Sequence, residues 1–281
     1  MPLALDNDIL WLSQLRKILM STSTPSLLSD EQIAFYHENG YLLVKGLFSR
    51  DEAARYRQAG HDLMKRIYGQ SQGGGGWGSG KALSEKETVL QHCHDVQFYD
   101  AAFSRLIVDE RFTDAAAQII GSNNVQLHHT KMFVKPPENG APFPMHQDTP
   151  YFPHDNHSMI AAIIHFDDAP LEKGCVRVVP GSHKGGLLEH NPQGGHHLSF
   201  DEYPLDEATP CPAEAGDALF FSYLTIHGSG VNESDQARTT LLVQMRDPED
   251  TPSIDTHNSR GQSMMLRGID PTSRGMNWKM D

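Results

Sequence analysis

From about residue 125 the chain is built of short runs rich in β-branched and aromatic residues. They are VQLHHTKMFV (125–134), MIAAIIHF (159–166), CVRVVP (175–180), DALFFSYLTIH (217–227) and TTLLVQM (239–245), and clusters of Gly, Pro, Asn and Asp separate them. Short runs recurring between turn residues predict an all-β sandwich or barrel. The first half reads differently. Residues 8–20 have helical apolar spacing, and a polar stretch, Ser21 to Ser26, breaks it. Ser29 and Ser49 are N-cap candidates for helices over 29–39 and 49–67, each with acidic residues in its first turn. Between them YLLVKGLF (41–48) reads as a buried strand, and 99–120 as a further helix ending at Gly121. The expectation is one domain over 1–281: an N-terminal helix and linker (1–28), a helical flank with a Gly-rich loop (29–124), a β core (125–246) and a tail (247–281). The tail has little apolar periodicity and is expected to cover a pocket or dock on a partner chain. The Gly/Pro-rich stretch 181–216 reads as an insert or active-site loop.

Composition narrows the function classes. Lys and Arg total 23 against 36 Asp and Glu, a formal charge of −13, which argues against broad nucleic-acid or anionic-membrane binding. Three cysteines, Cys93, Cys175 and Cys211, with no CxxC pair, argue against a disulfide framework and for a reducing compartment. The sequence has no 18-residue apolar run, no secretion signal and no peroxisomal C-terminal tripeptide, so a cytoplasmic location is expected. Gly75 to Ala82 nearly matches the phosphate loop GxxxxGK[ST]. Ala82 replaces the required hydroxyl, and the segment before the loop reads as helix rather than strand. The run is read as a lid whose Trp77 supplies an apolar contact to substrate.

Sixteen histidines pose the question of which have partners at ligand spacing. His146-Gln147-Asp148 stands where a strand should end, and in extended backbone residues i and i+2 share a face. His227 ends the run 217–227 before the small-residue turn Gly228-Ser229-Gly230, and supplies a third ligand. Two His and a carboxylate on one face is the pattern of non-haem Fe(II) oxygenases, with positions left open. Arg238 enters a buried strand and needs an anionic partner there.

These residues carry a resemblance. HxD, then a segment ending in PGSH, then His with Arg eleven residues on, resembles the phytanoyl-CoA dioxygenase family of Fe(II)/2-oxoglutarate-dependent oxygenases. The matching segments are NGYLLVKGLFS (39–49), KPPENGAPFPMHQD (135–148), LEKGCVRVVPGSHK (171–184), AGDALFFSYLTIHGSG (215–230) and Arg238. The resemblance implies a mainly β double-stranded β-helix (jelly-roll, cupin-like) core with flanking N-terminal α-helices. It implies Fe(II) held by His146, Asp148 and His227, with 2-oxoglutarate and O2 as co-substrates. It implies that Arg238 and Ser229 hold the distal carboxylate of 2-oxoglutarate, with His129 and Lys131 near the co-substrate. One departure is Lys173 before Gly174-Cys175, where the family often has Asn. Asp148 favours hydroxylation over halogenation, since related halogenases lack this carboxylate.

Substrate contacts are expected from Gln91, His94, Tyr151, Trp77 and Arg246. The pair His92 and His94 reads as a pocket wall or surface turn rather than a second metal site, because no third ligand is near. His183 is expected to be structural, His196-His197 solvated, and His165 a hydrogen-bonded core residue. The expected activity is oxidation of a C–H bond of a small organic substrate, with 2-oxoglutarate converted to succinate and CO2. The rivals are a silent metal- or ligand-binding jelly roll, a zinc hydrolase on a cupin-like fold, and an oxygenase of the same type performing desaturation, epimerisation or cyclisation. The oligomeric state, monomer or homodimer, stays open.

Overall fold

The computed structural model of the protein describes residues 26–69, 83–84, 87–193, 195–256 and 258–273. The helix expected over 8–20, the Gly-rich loop and Trp77 lie outside the described residues. Helices α1 (Asp30–Asn39) and α2 (Arg50–Tyr68) start where the capping residues predict. At each, the serine Oγ accepts the N–H three residues on, and that residue's side chain takes the serine N–H in return. The helix expected over 99–120 is two: α3 (Ala101–Ile107) and α4 (Glu110–Ile120). Asp100 and Asp109 each cap a start, accepting from Ala102 N–H at 2.9 Å and Arg111 N–H at 3.0 Å. Arg111 also pairs with Glu52 at 2.8 Å, which ties α4 to α2.

The strands are β1 (Tyr41–Val44), β2 (Gln91–His94), β3 (Val125–Lys135), β4 (Phe143–His146), β5 (Ile160–His165), β6 (Val176–Val178), β7 (Thr209–Cys211), β8 (Ala218–Ser222), β9 (His227–Ser229), β10 (Arg238–Arg246) and β11 (Met265–Arg267). They form two antiparallel sheets. The larger runs β1-β8-β5-β10-β3-β11, with β2 also pairing with β3, and the smaller runs β4-β9-β6-β7. The expected jelly-roll architecture is therefore present. The run 217–227 is not one strand. It breaks after Ser222, and Tyr223–Ile226 carries the chain from the larger sheet to the smaller. Thr225 makes the corner: its N–H donates to Ser222 O at 2.8 Å and its hydroxyl to Gly40 O at 2.7 Å. Within the tail, β11 adds to the edge of β3.

Alternation along the strands separates two apolar layers. On β10, Leu241, Val243 and Met245 pack outward with Phe103, Leu106 and Phe112 of the helices and Ile160, Ala162 and Ile164 of β5. Between the sheets, Ala161, Leu219 and Phe221 meet Val176, Val178 and Cys211. The β10 residues of the other parity, Arg238, Thr240, Leu242 and Gln244, line a cavity between the sheets.

Candidate metal centre and co-substrate cavity

The small sheet brings the two histidines together. β4 and β9 are antiparallel with His146 opposite His227, and the ring centroids lie 4.2 Å apart. Each ring is tied to the carbonyl two residues back. His146 Nδ1–H donates to Pro144 O at 2.8 Å, and His227 Nδ1–H to Thr225 O at 3.0 Å. Both Nε2 atoms are thereby turned to Asp148 Oδ1, at 3.6 Å and 3.8 Å. Ligand atoms of the three residues all lie within 4.8 Å of one another. Asp148 reaches this place by a different route from the one expected. Its φ of −78° and ψ of −24° place it at the head of the 3-10 turn Thr149–Tyr151, so a turn and not an extended pair swings the carboxylate beside the imidazole. Burial, with the neighbouring His227, pushes the His146 pKa well down, which keeps the ring neutral as a ligand must be. Burial raises that of Asp148. Gln244 Nε2–H donates to Asp148 Oδ2 at 2.6 Å.

Gln147, between the two ligands, is wholly buried and structural. Its side chain donates to Gly186 O at 2.8 Å and Leu224 O at 2.7 Å, and accepts Leu188 N–H at 2.9 Å. Its main-chain N–H donates to His190 Nε2 at 2.9 Å. The loop that begins at 181 is thus pinned beneath the metal turn.

The triad opens on a cavity of about 120 Å³. Its far end is cationic. Arg238 is 3% exposed; its Nη1 donates to Gly174 O, and its Nε is buried with no acceptor. Lys135, directly opposite it in the β3–β10 register, is 0% exposed. Its ammonium donates to Ser229 Oγ at 2.8 Å and Gly230 O at 2.6 Å. Burial, then the Arg238 charge, pushes the Lys135 pKa well below the usual lysine range. Two buried basic side chains, held by carbonyls and a hydroxyl, thus stand side by side with no carboxylate bonded to them among the described residues.

The wall between is built by β3. Lys131 Nζ sits 5.0 Å from the Phe133 ring centroid, its pKa lowered to about 8 by burial against the opposing pull of Asp148. A β-bulge opposite Gln244 and Met245 brings the adjacent His128 and His129 to one side. Their Nδ1 atoms lie 2.8 Å apart, and both rings pack on Phe152, at 4.7 Å and 5.5 Å.

Of the residues expected at the site, His146, Asp148, His227, Arg238, Ser229, His129, Lys131, His94 and Tyr151 all line the cavity. Gln91 does not: on β2 it faces away from His92 and His94, into a cleft with His61, Met64 and Tyr68. Arg246 is also elsewhere. Beyond the bulge it donates to the carbonyls of Asp247, Pro248 and Asp250, and shapes the turn after β10. His197 is buried and stacks on Phe200 at 4.8 Å, contrary to the solvated reading. His165 is fully buried as expected of a core histidine, but neither ring nitrogen has the expected hydrogen-bond partner, and His183 bonds His37 O at 3.2 Å, a structural contact. Sequence reasoning missed Lys135 and Gln244. The second had a signal, since it continues the Arg238, Thr240, Leu242 alternation.

Comparison with known proteins agrees with this geometry. The family model described as phytanoyl-CoA dioxygenase matches residues 36–240. A probable alpha-ketoglutarate-dependent hypophosphite dioxygenase from Stutzerimonas stutzeri is 28% identical over 249 residues, 85% of this chain and 86% of that protein. A probable phytanoyl-CoA dioxygenase from Caenorhabditis elegans is 32% identical over 236 residues, covering 78% and 76%. Among solved structures, the epimerase SnoN in complex with Fe3+, alpha ketoglutarate and nogalamycin RO superposes with a TM-score of 0.65 at 22% identity, over 86% of this chain and 96% of that one, a likeness of fold.

Proposed function

We propose, from the premise that the chain belongs to the phytanoyl-CoA dioxygenase family, that it is an Fe(II)/2-oxoglutarate-dependent dioxygenase. It hydroxylates a C–H bond of a small organic substrate. His146, Asp148 and His227 hold the iron. The donor set fits that metal: two imidazoles and one carboxylate converge and leave open positions on the cavity side. When bound, iron and 2-oxoglutarate together supply the oxidising equivalent drawn from O2, with succinate and CO2 as co-products.

The chain's own residues bind, orient and exclude water. Arg238, with Lys135 and Ser229, takes the distal carboxylate through charge-assisted hydrogen bonds. Ile163, Leu242, Phe133 and Val176 supply an apolar wall along the co-substrate. The substrate lies on the other side of the triad, against His94, His129, Tyr151 and Phe152. Tyr151 is fixed there by its hydroxyl, which accepts His196 N–H at 2.9 Å. In this reading the chain is one oxygenase domain acting on a small molecule in the cytoplasm. The observation that carries it is a three-residue donor cluster opening on a cavity lined by the buried Arg238, to which no carboxylate hydrogen-bonds among the described residues.

The test is anaerobic titration of the metal-free protein with Fe(II) and 2-oxoglutarate. A weak visible charge-transfer band that needs both additions, and is lost in Asp148→Ala and His227→Ala, is expected. No band with both present would turn the reading to a binding module. Product analysis then separates hydroxylation from desaturation, epimerisation or cyclisation at the same centre.

A further inference from the structure

We infer that Gln244 is a positioning residue for Asp148, holding the carboxylate so that it presents a single oxygen to the metal. This rests on the metal reading of the triad. Gln244 is 1% exposed and lies on the cavity wall of β10, opposite His129 on β3 and Ala161 on β5. Its Nε2 is 2.6 Å from Asp148 Oδ2, while Oδ1 is the oxygen turned toward the two imidazoles. An ionised carboxylate only accepts hydrogen bonds, so the amide must offer its NH2 end.

That orientation has a cost within the fold. Gln244 Oε1 is left buried with no donor. An unsatisfied buried carbonyl is unfavourable, and a leucine of similar volume would fill the place without one. What the amide does at its other end offsets that cost. Metal ligands are commonly oriented by a hydrogen bond from behind. The two histidines have theirs in the carbonyls of Pro144 and Thr225. The Asp148 main chain is held by its N–H to Tyr223 O at 2.9 Å. Gln244 completes the set by fixing the carboxylate itself. A carboxylate free to rock can bind through both oxygens and take up one of the positions that two His and one carboxylate leave open.

Co(II) titration of the metal-free protein, followed by its visible ligand-field absorption, tests this without turnover. Gln244→Leu should melt within a few degrees of wild type when metal-free, bind Co(II) about 10–100-fold more weakly, and give a changed ligand-field spectrum. Gln244→Glu, which replaces the donor by an acceptor in the same volume, should lose at least as much. Wild-type Co(II) affinity and spectrum in Gln244→Leu overturn the inference. If that variant does not fold, Gln244→Glu decides by the same criterion. Failure of the wild-type protein to bind Co(II) removes the metal reading and this inference with it, whereas wild-type binding with indifferent variants removes the inference alone.

Discussion

At the scale of single residues, Lys135 shows how function can oppose stability. A fully buried lysine side chain facing a buried guanidinium is unfavourable for stability, and burial disfavours its charged form. Lys135→Met should therefore raise the melting temperature of the protein without 2-oxoglutarate, and weaken 2-oxoglutarate binding at least tenfold; calorimetry on the same two samples checks both. Lys131 gives a prediction in pH. Its pKa falls from 10.5 to about 8 on folding. Between those values the unfolded chain holds more protons than the folded one, so stability from this group rises with pH across the window and is lowest below it. Lys131→Met should flatten that rise, a difference on the order of 2–3 kcal/mol from pH 8 to 10.5 by the pKa shift, read from urea unfolding of both proteins. The candidate metal cluster was legible in the sequence because HxD and the distal His carry their chemistry in residue type. Lys135 was not, since a lysine before two prolines looks like a surface residue until β3 is paired with β10 and sets it against Arg238. Arg246 misled for the opposite reason: its parity along β10 matches Gln244, but the bulge shifts the register between Gln244 and Met245, and Arg246 bonds the carbonyls of the next turn.

At the scale of elements, the turn that carries Gly174 does what its sequence neighbours obscure. Gly174 has φ +63°, and its carbonyl receives the Arg238 guanidinium. A Cβ there would run into the Gly230 carbonyl, on the chain just after Ser229. Gly46 has a similar φ, +60°, with open space around its missing Cβ. The two form a matched pair. Gly46→Ala should cost only backbone strain, about 1–2 kcal/mol. Gly174→Ala should cost more, and should also weaken 2-oxoglutarate binding, because it displaces both Gly230 and the acceptor that aims Arg238. Denaturant midpoints with a binding titration separate the two effects. The departure at Lys173 leaves this turn intact: its ammonium reaches Gln236 Oε1 at 2.9 Å. Strand and helix texture was legible from periodicity and caps. What was not legible was where elements divide. The apolar content of 217–227 continues through the corner at Tyr223–Ile226, and the change of sheet is marked by the hydrogen bonds of Thr225 to Ser222 and Gly40. Likewise Asp109 reads as one more helical residue until its carboxylate is seen capping α4.

At the scale of the whole molecule, the chain carries a formal charge of −13, yet its cavity is lined by the basic side chains of Arg238 and Lys131. Ligands that bind only the folded state stabilise it by mass action. Fe(II) and 2-oxoglutarate together, at about a hundredfold over their dissociation constants, should add roughly 3 kcal/mol for each saturated site. The melting temperature should rise with both ligands under anaerobic conditions and fall back when a chelator is added; differential scanning fluorimetry reads both. Beyond this, the cavity is walled by both sheets. The imidazoles stand on β4 and β9 of the smaller sheet, and Arg238 on β10 of the larger. On the proposed reading, a keto diacid held at one end by iron and at the other by Arg238 is a strut that ties the smaller sheet to the larger. Oxaloacetate, one carbon shorter, and 2-oxoadipate, one carbon longer, should each raise the melting temperature less than 2-oxoglutarate does.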